Sequence, residues 1–160
     1  MKHYKPDLIV LFSILFLAVM GVIRGVLWSM TPADAALTLP LLLKAAATGL
    51  FFDLATLAYA LLPAALYLLL APRRITTSRY HFWFIRFCFL LFIAVLIFDA
   101  CAEYFFFDEF ATRFNFIAVD YLIYTNEVIG NIRESYPLAP IFTAIGSAAL
   151  LITWLLRQYI

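Results

Sequence analysis

The chain has 160 residues, of which 66% are hydrophobic and only 13% are charged, whereas soluble domains are roughly 45–50% apolar and about 25% charged. Its formal net charge of +1 gives no electrostatic basis for binding nucleic acid or a strongly acidic partner. Length and composition exclude an ordinary soluble domain and predict a membrane protein built as one bundle of a few helices.

Four stretches are long and apolar enough to cross a hydrocarbon core of about 30 Å, which takes about 20 helical residues. They cover residues 8–28, 50–71, 82–102 and 138–156. The first follows Lys2 and Lys5 as a signal peptide would, but it is too long and lacks a small-residue cleavage site, so we expect a retained helix. The sequence predicts an all-α, polytopic membrane bundle of four transmembrane helices, with residues 1–160 forming a single transmembrane domain.

Orientation follows from lysine and arginine, which favour the cytoplasmic side in short loops. They precede the first span, separate the second from the third, and follow the fourth, at Lys2, Lys5, Arg73, Arg74, Arg79 and Arg157. Residues 31–34 and 103–137 fall on the opposite side, and there Asp and Glu outnumber Lys and Arg. Both termini are predicted to be cytoplasmic, and the 103–137 segment extracytoplasmic.

Residues 103–118 divide into two arcs when they are placed on a helical wheel. The apolar arc contains Phe106, Phe107, Phe110, Phe114 and Ile117, and the polar arc contains Asp108, Glu109, Thr112, Arg113 and Asn115. This pattern predicts an amphipathic interfacial helix on the extracytoplasmic side, with Glu109 and Arg113 four apart and able to pair. The alternative is that these charges only keep such a helix solvated.

The continuation from residue 119 to 137 is neither a span nor a simple loop. Asp120 and Glu127 are seven apart and share a helical face, with Tyr121 and Tyr124 beside them, before Gly130 and Asn131 interrupt the pattern. Three interpretations stay open: a lipid headgroup site, a docking surface for another domain, or a cap over the bundle that satisfies its own hydrogen bonds.

Charged residues within or beside the spans predict a second polar site, because each costs on the order of 3 kcal/mol at the bilayer centre. We expect an outer-mouth cluster formed by Arg24, Lys44, Asp53, Asp99 and Glu103. The alternative is a set of separate interfacial anchors solvated by headgroups. Gly21 and Gly25 form a small-xxx-small pair that would let another helix pack closely on the first span.

Catalytic motifs and metal-ligand spacings are not found. Cys88 and Cys101 lie thirteen apart on different faces of one span, which argues against a disulfide or a redox pair. His3 and His81 have no acidic or thiolate cluster near them in sequence, so we predict no metal site and no cofactor in this chain.

The run FFFDEFATRFNFIAVDYLIYTNEVIGNIRESYP, residues 105–137, resembles the outward-facing segment in the membrane domain of the lipoteichoic acid synthase family, particularly its proteobacterial phosphoglycerol-transferase-like members. The residues that carry the resemblance are Phe110, Arg113, Phe114, Asn115, Asp120, Tyr121, Glu127, Asn131, Ser135, Tyr136 and Pro137. Elsewhere the similarity is one of hydropathy and span order.

This resemblance implies a membrane domain, typically of five spans, in the bacterial cytoplasmic membrane, followed by a sulfatase-like domain of the alkaline phosphatase superfamily. That domain uses a threonine nucleophile and a divalent metal such as manganese to transfer phosphoglycerol from phosphatidylglycerol. The 160 residues contain neither a fifth span nor the catalytic residues, so we expect a truncated chain, with a natural four-span relative as the alternative.

Two functional hypotheses follow. The first is a membrane anchor that presents an anionic lipid such as phosphatidylglycerol, with a headgroup or docking set of Arg113, Asn115, Asp120, Tyr121, Tyr124, Glu127 and Asn131. The second is a four-helix scaffold that binds a partner and no substrate. A channel or carrier fits less well, because no span has a polar stripe along its whole length.

Overall fold

The computed structural model describes residues 4–31, 38–123 and 125–160. Within these ranges it describes all side chains except those at 4–7, 73, 117, 120–122, 125–128 and 131. All regular secondary structure in these residues is helical. The helices are α1 (Tyr4–Met30), α2 (Leu39–Leu70), α3 (Arg73–Thr76), α4 (Arg79–Phe110), α5 (Phe116–Ile123), α6 (Thr125–Ser135) and α7 (Leu138–Leu155). Of these, α1, α2, α4 and α7 are long and apolar enough to cross a membrane, which confirms the predicted all-α architecture with four spans.

Two of the long helices extend well beyond their predicted apolar stretches. Each of α2 and α4 has 32 residues and is therefore about 48 Å long, compared with about 30 Å for the hydrocarbon core. The start of α2 lies eleven residues before the predicted span because the segment LPLLLKAAATG is rich in good helix formers and has Pro40 in its first turn. Lys44 interrupts the apolar run but not the helix.

Tertiary contacts divide the chain into two compact units, one formed by residues 1–89 with 156–160 and the other by residues 90–155. In the first unit, α1 packs against α2 and buries a single stripe of apolar side chains spaced three or four residues apart. The stripe consists of Leu8, Phe12, Phe16, Met20, Ile23 and Leu27. Phe12 meets the fully buried Phe89 edge to face, with ring centroids 5.3 Å apart.

Polar contacts connect the far end of α2 to the beginning of α4 in the same unit. The Tyr67 hydroxyl and His81 Nδ1 are hydrogen-bonded at 2.7 Å, and their rings stack. Arg86 lies over the Phe82 ring, and its Nη2 donates to the Arg157 carbonyl oxygen at 3.2 Å. This bond helps to satisfy a carbonyl just beyond the end of α7, where intrahelical donors run out.

The second unit is organised around the other half of α4. Its buried stripe contains Ile93, Leu96, Glu103 and Phe106, so a carboxylate occupies a position of the core face. Phe98 stacks on Phe142 of α7 with centroids 6.1 Å apart. Phe105 meets Tyr136, just after α6, at 4.7 Å. These contacts hold α7 and the end of α6 beside the second half of α4.

Most of the apolar surface of the four long helices is not covered by protein. Only 11–22% of the residues in their most apolar stretches are buried within the molecule. Such exposure would be unfavourable in water but is expected in lipid, where helices associate through van der Waals packing and interhelical polar contacts.

Candidate functional site

The chain reverses direction sharply after α4. That helix ends at Phe110, and Ala111 has φ 51°, in the left-handed region. This conformation costs a residue with a Cβ roughly 1–2 kcal/mol. Residues 111–115 are not helical, and α5 begins at Phe116. The prediction of one continuous amphipathic helix over 103–118 is therefore wrong, because the reversal at Ala111 divides it.

An ion pair joins the two sides of this reversal. The Nε of Arg113 donates to the Oε1 of Glu103, whose side chain is 5% exposed while that of Arg113 is 45% exposed. In a straight helix these residues would be about 15 Å apart along the axis, and they meet only because the chain turns back. The predicted pairing of Glu109 with Arg113 assumed a helix that continues to Arg113, and that assumption fails.

Aromatic rings make a second contact across the reversal. The Phe106 ring lies 4.7 Å from that of Phe110 and 5.0 Å from that of Phe114, measured between centroids. Phe106 is buried, so this ring belongs to the interior of the second unit and not to the predicted lipid-facing arc. We call the ion pair and the three rings together the α4 clasp.

Two further predicted residues lie next to the clasp. Asn115 occupies the position before α5, where asparagine is a favoured N-cap, and its carbonyl oxygen accepts from the Ala118 N–H at 3.0 Å. Asp99 is exposed, one helical turn before Glu103, and it interacts electrostatically with both Glu103 and Arg113. The clasp therefore places one guanidinium near two carboxylates.

A separate ion pair joins the first two long helices. The Nη2 of Arg24 on α1 donates to the Oδ2 of Asp53 on α2 at 2.6 Å, with side-chain exposures of only 12% and 10%. Because both helices are candidate spans, this pair neutralises two charges that would each be costly in the hydrocarbon region. The structure thus brings together two of the five residues of the predicted outer-mouth cluster.

Gly49 makes room for this pair. A Cβ built on Gly49 would lie 2.5 Å from Nη2, 2.6 Å from Cζ and 2.7 Å from Nε of Arg24. The guanidinium therefore rests directly on the α2 backbone, one turn before Asp53. By contrast, a Cβ at Gly21 or Gly25 would meet nothing within 4 Å, so no described residue packs closely on that predicted small-residue pair.

The structure does not bring the other three members of the predicted cluster, Lys44, Asp99 and Glu103, into the Arg24–Asp53 pair. Lys44 is exposed, nine residues before Asp53 on α2, which is about 14 Å along the helix axis, and it forms no ion pair with a described residue. Glu103 pairs with Arg113 in the second unit, and Asp99 lies beside them. A single site containing all five residues stays a prediction.

Much of the predicted headgroup or docking set lies outside the described side chains. These residues are Asp120, Tyr121, Tyr124, Glu127 and Asn131. Four of them belong to the two short helices: Asp120 and Tyr121 to α5, and Glu127 and Asn131 to α6. Among the residues that are described, no group of three or more His, Cys, Asp or Glu side chains is arranged to hold a metal ion.

Sequence reasoning missed Gly49 and the turn at Ala111. A signal for Gly49 is present, since a glycine one turn before Asp53 on the same helical face leaves space for a long partner side chain. No comparable signal marks Ala111, because alanine is the best helix former.

Comparison with models of known families, with characterised proteins and with solved structures finds no match.

Proposed function

We propose that this chain is the membrane domain of a phosphoglycerol-type transferase of the bacterial cytoplasmic membrane. In this role it anchors a sulfatase-like catalytic domain and presents an anionic lipid headgroup, phosphatidylglycerol in the first instance. The proposal rests on the resemblance of residues 105–137 and is compatible with the four membrane-spanning helices. The observation that carries it is the half-exposed Arg113 guanidinium, held by a buried carboxylate where α4 ends.

The chemistry of Arg113 suits a phosphodiester. A guanidinium is charged at any physiological pH and presents several N–H donors in a fixed plane, which matches phosphate oxygens. Glu103 contacts the Nε and so fixes the orientation of that plane from one edge. Because Arg113 contacts Glu103, the first residue after the apolar stretch 82–102, its guanidinium would lie at the depth of lipid headgroups if that stretch crosses the hydrocarbon core.

A direct test measures phosphatidylglycerol binding by the purified chain in a zwitterionic phosphatidylcholine environment. Arg113→Ala is expected to weaken binding by about tenfold or more, since losing a charge-assisted hydrogen bond costs about 1.5–3 kcal/mol. Arg113→Lys should weaken it less, because the charge remains. Arg133→Ala provides the control, since Arg133 is also exposed but lies on α6. Unchanged affinity in a folded Arg113→Ala variant would refute the headgroup role.

A scaffold function is the second candidate, and the charge balance of the clasp favours it. Glu103 and Asp99 together outweigh the single charge of Arg113, so a phosphate would have to compete with two carboxylates. On this hypothesis Arg113 stabilises the reversal after α4 and the chain recruits a protein partner without binding substrate. Arg113→Ala would then lower stability and leave phosphatidylglycerol binding unaltered, which distinguishes the two candidates.

A further inference from the structure

Three of the phenylalanines that helical periodicity assigns to the lipid-facing arc of residues 103–118 contact one another instead. Phe106, Phe110 and Phe114 contact one another across the chain reversal, and Phe106 is 6% exposed. These three rings are occupied by contacts within the protein and do not form a continuous membrane-facing surface.

A different apolar surface is exposed on α5. Phe116, Val119 and Ile123 are 74%, 56% and 70% exposed, and their spacing of three and four residues places them on one face of the helix. Ile129 and Ile132, one turn apart on α6, are exposed as well, and α5 contacts α6. We call the three α5 side chains the α5 face.

The position of α5 in the chain indicates what covers this face. With 8 residues, α5 is about 12 Å long and cannot cross a bilayer. Residues 111–115 connect it to the end of α4, and α6 leads through two residues into α7. The Phe105–Tyr136 contact holds the end of α6 beside the last turns of α4. Both short helices therefore lie at the level where two spans end, next to the lipid that surrounds those spans.

The net charge of α5 and α6 favours contact of the α5 face with acyl chains and disfavours electrostatic binding to anionic headgroups. Residues 116–135 contain three acidic residues, Asp120, Glu127 and Glu134, and one basic residue, Arg133, for a formal charge of −2. Helices that bind anionic lipid surfaces electrostatically carry Lys and Arg on their polar face. If α5 and α6 contact the membrane, the attraction must therefore come from burial of apolar side chains.

We infer that α5 is an interfacial helix that lies along the membrane surface. Its Phe116, Val119 and Ile123 side chains insert among the acyl chains of the leaflet in which α4 ends. This interaction goes beyond headgroup binding by Arg113 and does not depend on it, since it requires no anionic lipid.

Collision accessibility of nitroxide spin labels tests this inference on the full chain in phosphatidylcholine nanodiscs. Labels are placed singly at 116, 119, 123 and 134 after Cys88 and Cys101 are replaced by serine. Oxygen concentrates in the acyl region and a nickel chelate in water. We expect labels on the α5 face to collide more with oxygen than with the chelate, and the label at the exposed Glu134 position to show the reverse.

Other outcomes overturn the inference. Greater collision with the chelate at all three α5 positions would place the face in water. Low accessibility to both reagents would mean that protein, either a partner or a second copy, covers it. Because no phosphatidylglycerol is present, neither result bears on the headgroup role of Arg113.

A conservative substitution guards against disruption by the labels. Phe116→Trp, in a background with Trp28, Trp83 and Trp154 changed to phenylalanine, should be quenched by brominated acyl chains. Phe106→Trp, at a buried position, is the matched control and should be quenched less. Equal quenching of the two tryptophans would contradict insertion of the α5 face.

Discussion

The guanidinium of Arg24 lies between the Gly49 backbone and the Asp53 carboxylate, and little of it is exposed. In such surroundings the interaction between the two charges is only weakly screened, and removing one partner leaves the other uncompensated. The arrangement also sets the register of α1 against α2, because Asp53 can be reached only where α2 has no Cβ in the way. Arg24, Gly49 and Asp53 thus form one unit, and each depends on the others.

Gly49→Ala tests this three-residue arrangement. An alanine in a helix interior is normally more stable than glycine by about 1 kcal/mol, but here the new Cβ would collide with the guanidinium. Since breaking a buried ion pair costs about 3–5 kcal/mol, we expect a net loss of about 2–4 kcal/mol. The free energy of unfolding in detergent micelles measures this change.

Two controls separate the ion pair from a general effect of alanine. Gly25→Ala should leave stability equal or higher, because open space surrounds that position. In an Arg24→Ala background, where the collision partner is gone, Gly49→Ala should become stabilising. If Gly49→Ala destabilises equally with and without Arg24, the guanidinium does not rest on Gly49.

The reversal between α4 and α5 determines how the chain continues after residue 110. It requires left-handed backbone at Ala111, and the Glu103–Arg113 pair together with the Phe106–Phe114 contact stabilises that conformation. The run of phenylalanines and charged residues from 103 to 114 therefore makes two contacts across the reversal. Glu103 pairs with Arg113, and the Phe106 ring contacts the Phe114 ring.

We predict that Ala111→Gly stabilises the protein. Glycine adopts positive φ without steric cost, although it also loses more backbone entropy on folding, so the expected net gain is about 0.5–1 kcal/mol. Ala118→Gly is the matched control, since Ala118 lies inside α5 and should lose about 1 kcal/mol. Thermal unfolding of both variants measures the difference, and a loss of stability in Ala111→Gly would show that the left-handed turn is not a determinant of the fold.

Sequence reasoning predicted the four long helices because long apolar runs dominate their energetics, and it predicted their bounds less well. Apolarity marks where lipid surrounds a helix, whereas propensity decides where the helix stops, as the early start of α2 at Leu39 shows. The Glu103–Arg113 contact could not be predicted, since it exists only after a chain reversal that no local residue signals. Asp53 and Arg24 were in the predicted cluster because intramembrane charges require partners.

At the scale of the whole molecule, the two sets of helix ends differ strongly in charge. Six Lys and Arg residues lie at the N-terminal end of the first apolar stretch, between α2 and the start of α4, or after α7: Lys2, Lys5, Arg73, Arg74, Arg79 and Arg157. The segments between α1 and α2 and between α4 and α7 together contain four acidic and two basic residues. If all four long helices cross the membrane, the positive-inside rule predicts from this asymmetry that both termini are cytoplasmic.

Cysteine labelling in intact cells tests whether the segments before and after α4 lie on opposite sides of the membrane. In a background lacking Cys88 and Cys101, single cysteines replace Ser78, between α2 and α4, and Asn115, between α4 and α5. A membrane-impermeant maleimide added outside should label the cysteine at 115 and spare the one at 78 until the cells are permeabilised. Labelling of both positions from the same side would contradict the four-span account.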